Sequence, residues 1–249
     1  MSRAPTLVGL LVALLAGAAG PAMAAPALVA DLSRDQIEIT TSFTGTRLLL
    51  FGATDGPGDV IVVVRGPNRQ EIVRQKERIA GIWVNRRPVT FDGVPGYYFQ
   101  ASTKKLNEVT SDAVLKSLKI GPERLSLPVA AGTSREDAKG YRAALIRLKR
   151  DQKLYNAPAA PIRFVGGRLF RTELLFPANV PTGAYTAEIH LFRGGKQVSV
   201  TKKELSVRKA GIEAAIFNFA HENAASYGIV AIVVALFAGW LGGAIFRRA

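Results

Sequence analysis

Cysteine is absent from this chain, which excludes a disulfide framework, a thiolate metal site and thiol catalysis. Methionine occurs only at Met1 and Met23, so the chain beyond them has no soft sulfur ligand for copper. Histidine is almost as scarce. His190 sits in an alternating run on the side of Glu188 and Phe192, and His221 stands beside Glu222 without the second histidine of an HExxH pair. A catalytic zinc needs three protein ligands, usually with histidine among them. No GxSxG, phosphate-binding loop or GxGxxG entering a helix occurs either. The expectation is therefore a chain with no catalytic residue, no metal ligand and no cofactor. Acidic residues are the scarce charge, 19 against 33 Lys and Arg, for a net charge of +14. Setting aside Arg3, Arg247 and Arg248 leaves 30 basic against 19 acidic residues. Outside a membrane that excess suits anionic headgroups or envelope polyanions rather than nucleic acid, and its even spread suits a merely solvated surface equally well.

Long uncharged stretches are few: residues 4–30, and 223–246, which contains the apolar run 227–246, YGIVAIVVALFAGWLGGAIF. As a helix these twenty residues would span roughly 30 Å, the hydrocarbon thickness of a bilayer. The predicted transmembrane helix is 225–246, followed by a cytoplasmic tail at 247–249 containing Arg247 and Arg248. At the front, Arg3, the apolar run 7–19 and Ala22-Met23-Ala24 have the form of a signal peptide over 1–24. A cleaved signal, a stop-transfer helix and the positive-inside rule together place residues 25–223 in the periplasm, anchored in the bacterial inner membrane. Ala231, Ala235, Gly239 and Gly243 recur every four residues along the anchor. They form a candidate packing face for a second helix, or simply reflect common Gly and Ala usage in a span.

The exported part reads as mainly β, an immunoglobulin-like sandwich ectodomain or pair of ectodomains with one or two packed helices. A first β-rich domain is expected over 27–121, with short strands near 36–41, 47–53, 60–65, 71–76, 81–85, 89–91 and 97–102. Pro88 and Pro95-Gly96 act as breaks, and a helix capped by Ser111 follows. Asp55 and Asp59 flank a turn and are too few for calcium. Trp83, Arg86, Arg87, Tyr97 and Tyr98 form a candidate docking surface, because Trp, Tyr and Arg dominate binding hot spots; a core Trp at the end of a sandwich is the plainer alternative. A second β-rich domain is expected over 122–209. Its basic helix at about 133–155 starts with a Thr133–Glu136 capping box and packs through Ala138, Tyr141, Leu145, Leu148 and Tyr155. Strands follow near 168–176, 184–192 and 196–207, the last two joined at Gly194-Gly195. A juxtamembrane helix is expected within 210–224.

The segments GIWVN (81–85), VPGYY (94–98), PTGAY (181–185) and YGIVA (227–231) with Gly239-Trp240, together with the signal and the basic helix, carry a resemblance. The chain resembles the alphaproteobacterial putative transmembrane protein family over nearly its whole length. That resemblance implies a single-span membrane protein of unknown function and brings no catalytic residues. It also implies association with a sulfite-exporter-like membrane protein. The leading expectation is a non-enzymatic binding or accessory subunit of a membrane complex. Its partners would be the lipid bilayer and another integral membrane protein, such as a transporter of that kind, or a second copy through the anchor helix; nucleic acid is not expected. The alternatives are a membrane-tethered enzyme on an envelope polymer, using carboxylates such as Asp31, Asp92 or Glu173, and a structural tether to anionic lipid or cell wall.

Overall fold

The computed structural model describes residues 26–79, 81–129, 135–211, 216 and 219–246, with the backbone alone at 86–87, 135–137 and 244–246. The expected signal peptide, the Thr133 cap, residues 212–215 and 217–218 of the juxtamembrane segment and the arginines of the tail lie outside the described residues; within that segment 216 and 219–222 are helical.

Alternation of apolar and polar residues builds the first sheet, ordered β1-β3-β10-β9. Its strands are β1 (Leu28–Leu32), β3 (Gly45–Thr54), β9 (Arg163–Val165) and β10 (Leu169–Pro177). Leu48 and Leu50 of β3 and Phe170, Leu174 and Phe176 of β10 point inward and are buried, while Leu49, Phe51, Leu169 and Leu175 face outward. The second sheet is ordered β2-β12-β11-β4-β7-β8. It comprises β2 (Gln36–Ile39), β4 (Asp59–Arg65), β7 (Tyr98–Ser102), β8 (Ala160–Pro161), β11 (Gly183–Arg193) and β12 (Lys196–Lys209). The unbroken apolar run of β4 has a cause. One face of that strand meets the first sheet, and the other is roofed by the segment carrying α1 (Leu106–Val109) and α2 (Asp112–Ser117), so Val60 to Val64 are all buried. Ser111 caps α2 by accepting from the Val114 N–H, as expected, and Gly121 ends this segment at φ 109°.

The expected boundary at 121/122 does not divide this fold. β10 pairs with β3 from Leu169↔Ala53 to Pro177↔Gly45, and β11 pairs with β4 from Thr186↔Arg65 to Phe192↔Asp59. Each sheet thus takes strands from both halves of the chain, and the buried residues form one cluster. An aromatic stack seals the layers, with Tyr97 on Phe176 at 5.0 Å and Tyr185 tilted against both.

One ribbon leaves the sandwich. β5 (Asn68–Ile79) and β6 (Ile82–Pro95) pair only with each other as strands, continuing the β4–β7 ladder through the Gly66 N–H to Tyr97 carbonyl and Gly96 N–H to Pro67 carbonyl bonds. The sequence suggested separate strands at 81–85 and 89–91 divided at Pro88. Instead β6 runs unbroken for 14 residues and takes up one extra residue at each of two bulges. One bulge falls near Pro88, which has no N–H to donate, and the other at Asp92-Gly93, where Gly93 has φ 64°. Helix α3 (Arg135–Asp151) lies along the base of this ribbon. It ends at Asp151 rather than near 155, and Tyr155 instead bridges to Tyr98 in the core. Its buried face also differs from the expected one: Leu145, Ile146 and Lys149 are buried while Leu148 is exposed, because Lys149 reaches Glu71 of β5 at 2.6 Å. The last element is α4 (Ala224–Phe246).

Candidate functional site

The β5–β6 ribbon is an arm with two parts. At its base Val73, Val89, Phe91 and Val94 are buried beneath α3 and the chain near Val129. Tyr141 of α3 bonds Gln75, and beyond that point the arm stands free of the helix contacts described. The tip turns between Ile79 and Ile82, which pair directly, with Gly81 at φ 84°. Around that turn Ile79, Ile82, Trp83 and Val84 are exposed, Trp83 at 66% and Ile82 at 69%. Four neighbouring apolar side chains left in water at the end of a two-stranded ribbon contribute nothing to the core, and such patches mark interaction sites.

The flank of the tip is basic. Residues 74–87 contain Arg74, Lys76, Arg78, Arg86 and Arg87 against the single acid Glu77. A groove of about 720 Å³ runs between arm and helix, lined by Val73, Arg74, Lys76, Tyr141, Ala144 and Arg147. Arg74, Lys76 and Arg147 line this groove and make no ion pair among the described residues.

The five residues expected to form a docking surface are not brought together. Trp83 is at the exposed tip, and Arg86 and Arg87 follow it in β6, with their side chains outside the described residues. Tyr97 and Tyr98 are almost fully buried, which corrects their place in that set. Tyr97 donates to the Leu175 carbonyl at 2.7 Å inside the aromatic stack. Tyr98 accepts from the Gly121 N–H at 2.7 Å, and burial pushes its phenol up to about 12. They are core residues because the ladder from Arg65 to Pro67 is covered on both faces, a feature that no local pattern carries. The sequence missed the contribution of Ile79 and Ile82, although apolar residues on either side of Ala80-Gly81 were the available signal.

The acids considered for an enzyme do not converge. Asp31 is on the outer face of β1, paired with Lys203 at 3.2 Å, and its carboxyl is held below the usual range by the Leu32 N–H and by Lys203. Glu173 is near Arg47 on the outer face of β10, and Asp92 lies on the arm, where it accepts from Gln70. Asp55 and Asp59 are each taken up by a cation, Arg193 and Lys104 respectively. His190 is buried beside Glu188 and Gln197, in a network that also holds Arg65 and Lys202. No group of three metal-ligating side chains occurs among the described residues.

The anchor is a 23-residue helix whose window from Ala224 to Gly243 has mean hydropathy 2.1 and no burial against the rest of the chain. A core helix of this composition would be covered, so the bilayer is the environment that fits it. Ala231, Ala235, Gly239 and Gly243 lie exposed along one side, and a methyl group added at either glycine would meet nothing within 4 Å. Trp240 is exposed as well, stacked obliquely on Phe237 at 5.9 Å.

A family model described as "Putative transmembrane protein (Alph_Pro_TM)" matches residues 27–248. No curated protein matches the chain.

Proposed function

The chain belongs to the putative transmembrane protein family (Alph_Pro_TM), and from that membership we propose that it is a non-enzymatic binding or accessory subunit of a membrane complex. The β ectodomain is periplasmic in this reading, and the single helix holds it at the inner membrane with the C-terminus in the cytoplasm. The observation that carries the proposal is the β5–β6 arm, a ribbon that ends in exposed Ile79, Ile82, Trp83 and Val84 rather than in a polar turn. A fold that exposes such a tip while burying most of the other aromatics of its ectodomain is built to touch something. The helix supplies a second contact. The small-residue face Ala231, Ala235, Gly239 and Gly243 would let the backbone of an integral membrane partner, or of a second copy, approach closely. The resemblance makes a sulfite-exporter-like transporter the first partner to test.

Photo-crosslinking in cells from position 235 tests the complex. The expected adduct contains an integral membrane protein or a second copy of this chain. The double variant Gly239→Leu/Gly243→Leu should lose that adduct while still inserting. Adducts undiminished in the double variant, or none from any position of the helix, would overturn the partner contact.

A further inference from the structure

We propose that the tip of the arm docks into the headgroup region of the same membrane that holds the anchor helix, with anionic lipid as its ligand. Three observations converge on that occupant. The first is direction. β4, β11 and β12 share the cross-strand row Arg65–Thr186–Glu204, and β4 and β12 run the same way through it. The arm prolongs β4 beyond Arg65, and β12 continues beyond Glu204 to Lys209, from which the chain leads to the anchor. Arm and anchor therefore leave the sandwich from the same end.

The second is reach. From Arg65 to Ile79 the ribbon is 14 residues long, roughly 46 Å at about 3.3 Å per residue. β12 covers about 17 Å of that depth by Lys209. The remaining 30 Å or so lies within the reach of residues 210–223: 216 and 219–222 are helical and rise about 1.5 Å each, and with the others extended the segment spans at most roughly 37 Å. Ala224 can therefore enter the bilayer level with the tip.

The third is chemistry. Trp83 with Ile79 and Ile82 is an amphipathic aromatic beside branched aliphatics, the composition that settles at a membrane–water boundary. Behind it the groove lined by Arg74, Lys76 and Arg147 presents three cations toward the headgroups. A protein surface could take the apolar tip alone, but a bilayer of anionic lipid matches tip and groove in their order along the arm. The inference rests on the arm's being a docking element and makes no use of the helix–helix contact, so either test can fail without the other.

The experiment uses the mature chain in lipid nanodiscs with Trp240→Phe, which leaves Trp83 as the sole tryptophan. In discs containing phosphatidylglycerol, Trp83 emission should be blue-shifted and quenched by lipids brominated at shallow acyl positions. In discs of phosphatidylcholine alone both signals should weaken. They should also weaken when salt rises from about 0.1 to 1 M, as the Debye length falls from about 10 to 3 Å. Arg74→Glu/Lys76→Glu should reproduce the loss with an unchanged melting curve. The absence of cysteine allows a second readout, an environment-sensitive dye on Ile82→Cys, which should report the same transfer. Trp83 equally open to acrylamide in both disc compositions, or shielded only when a membrane protein partner is added, would overturn the proposal.

Discussion

At the scale of single residues, burial decides which side chains the chain can spare for function. Lys149 is a cation on an otherwise apolar helix face, 8% exposed, and it pairs with Glu71 at 2.6 Å. Removing one member of a buried pair leaves the other uncompensated, so Lys149→Met should cost about 3 kcal/mol in denaturant unfolding. Lys149→Met/Glu71→Leu should recover most of that loss, which a double-mutant cycle would measure. Gly52 shows the opposite constraint. A methyl group there would sit 2.4 Å from the Phe170 ring and from the Val29 carbonyl, so Gly52→Ala should destabilise by about 1–3 kcal/mol. His190 makes a prediction in pH. Burial lowers its pKa from the ordinary 6.5, against the pull of Glu188 and Gln197, so the folded chain keeps the ring neutral while the unfolded chain binds a proton. Stability should therefore fall as pH drops below about 6.5. Burial opposes the charge of Glu188, but Arg65 and Lys202 outweigh it and hold the carboxyl below 4.5. Its contribution is present above that value and lost only at lower pH. In the window from 6.5 to 4.5, His190→Gln should flatten the decline in the denaturation midpoint and leave the acid limb unchanged. None of these three environments was legible beforehand. Lys149 is not among the packing positions expected for α3, and nothing local shows that His190 is buried, because helical and strand periods locate a face without saying what covers it.

At the scale of elements, strand positions were largely legible and their continuity was not. The runs at 47–53, 60–65, 184–192 and 196–207 correspond to β3, β4, β11 and β12, and Gly194-Gly195 forms the expected hairpin turn with φ of 55° and 79°. Pro88 read as an interruption, since it weakens a regular strand, yet the arm absorbs it as a bulge, adds a second bulge at Gly93 and runs on past both. Two short strands thereby became one long ribbon, and Trp83 moved from a possible core position to an exposed tip. The energetic corollary is testable. Residues 76–85 are exposed wherever their side chains are described, so they add little burial beyond their own pairing. Replacing them with Asn-Gly between the paired Gln75 and Arg86 should preserve the fold. It should shift the thermal midpoint by no more than about 4 °C, the scale of 1 kcal/mol in a domain of this size. A shortening of the base that removed Val73 and Val89 should instead cost several kcal/mol, because both are buried.

At the scale of the whole molecule, the question is whether the ectodomain is one unit or two. Composition and turn signals suggested a boundary at 121/122, where Gly121-Pro122 closes the segment behind α2. What overrides that local punctuation is pairing at long sequence separation. β3 finds β10 more than a hundred residues away, and β4 lies between β7 of its own half and β11 of the other. Such pairings leave no trace in a window of ten or twenty residues, since each strand shows its face and not its partner. Their consequence is cooperative. Residues 26–121 alone would keep β3 without its β10 ladder and β4 with one open edge, exposing Leu48, Leu50 and Val62 to water. The fragment should therefore be unfolded or aggregated, as an exposed apolar strand edge predicts. The full ectodomain should unfold in a single transition, with circular dichroism and Trp83-independent tyrosine fluorescence giving coincident curves. Two separable transitions, or a folded 26–121 fragment with dispersed amide resonances, would contradict the interleaved sheets.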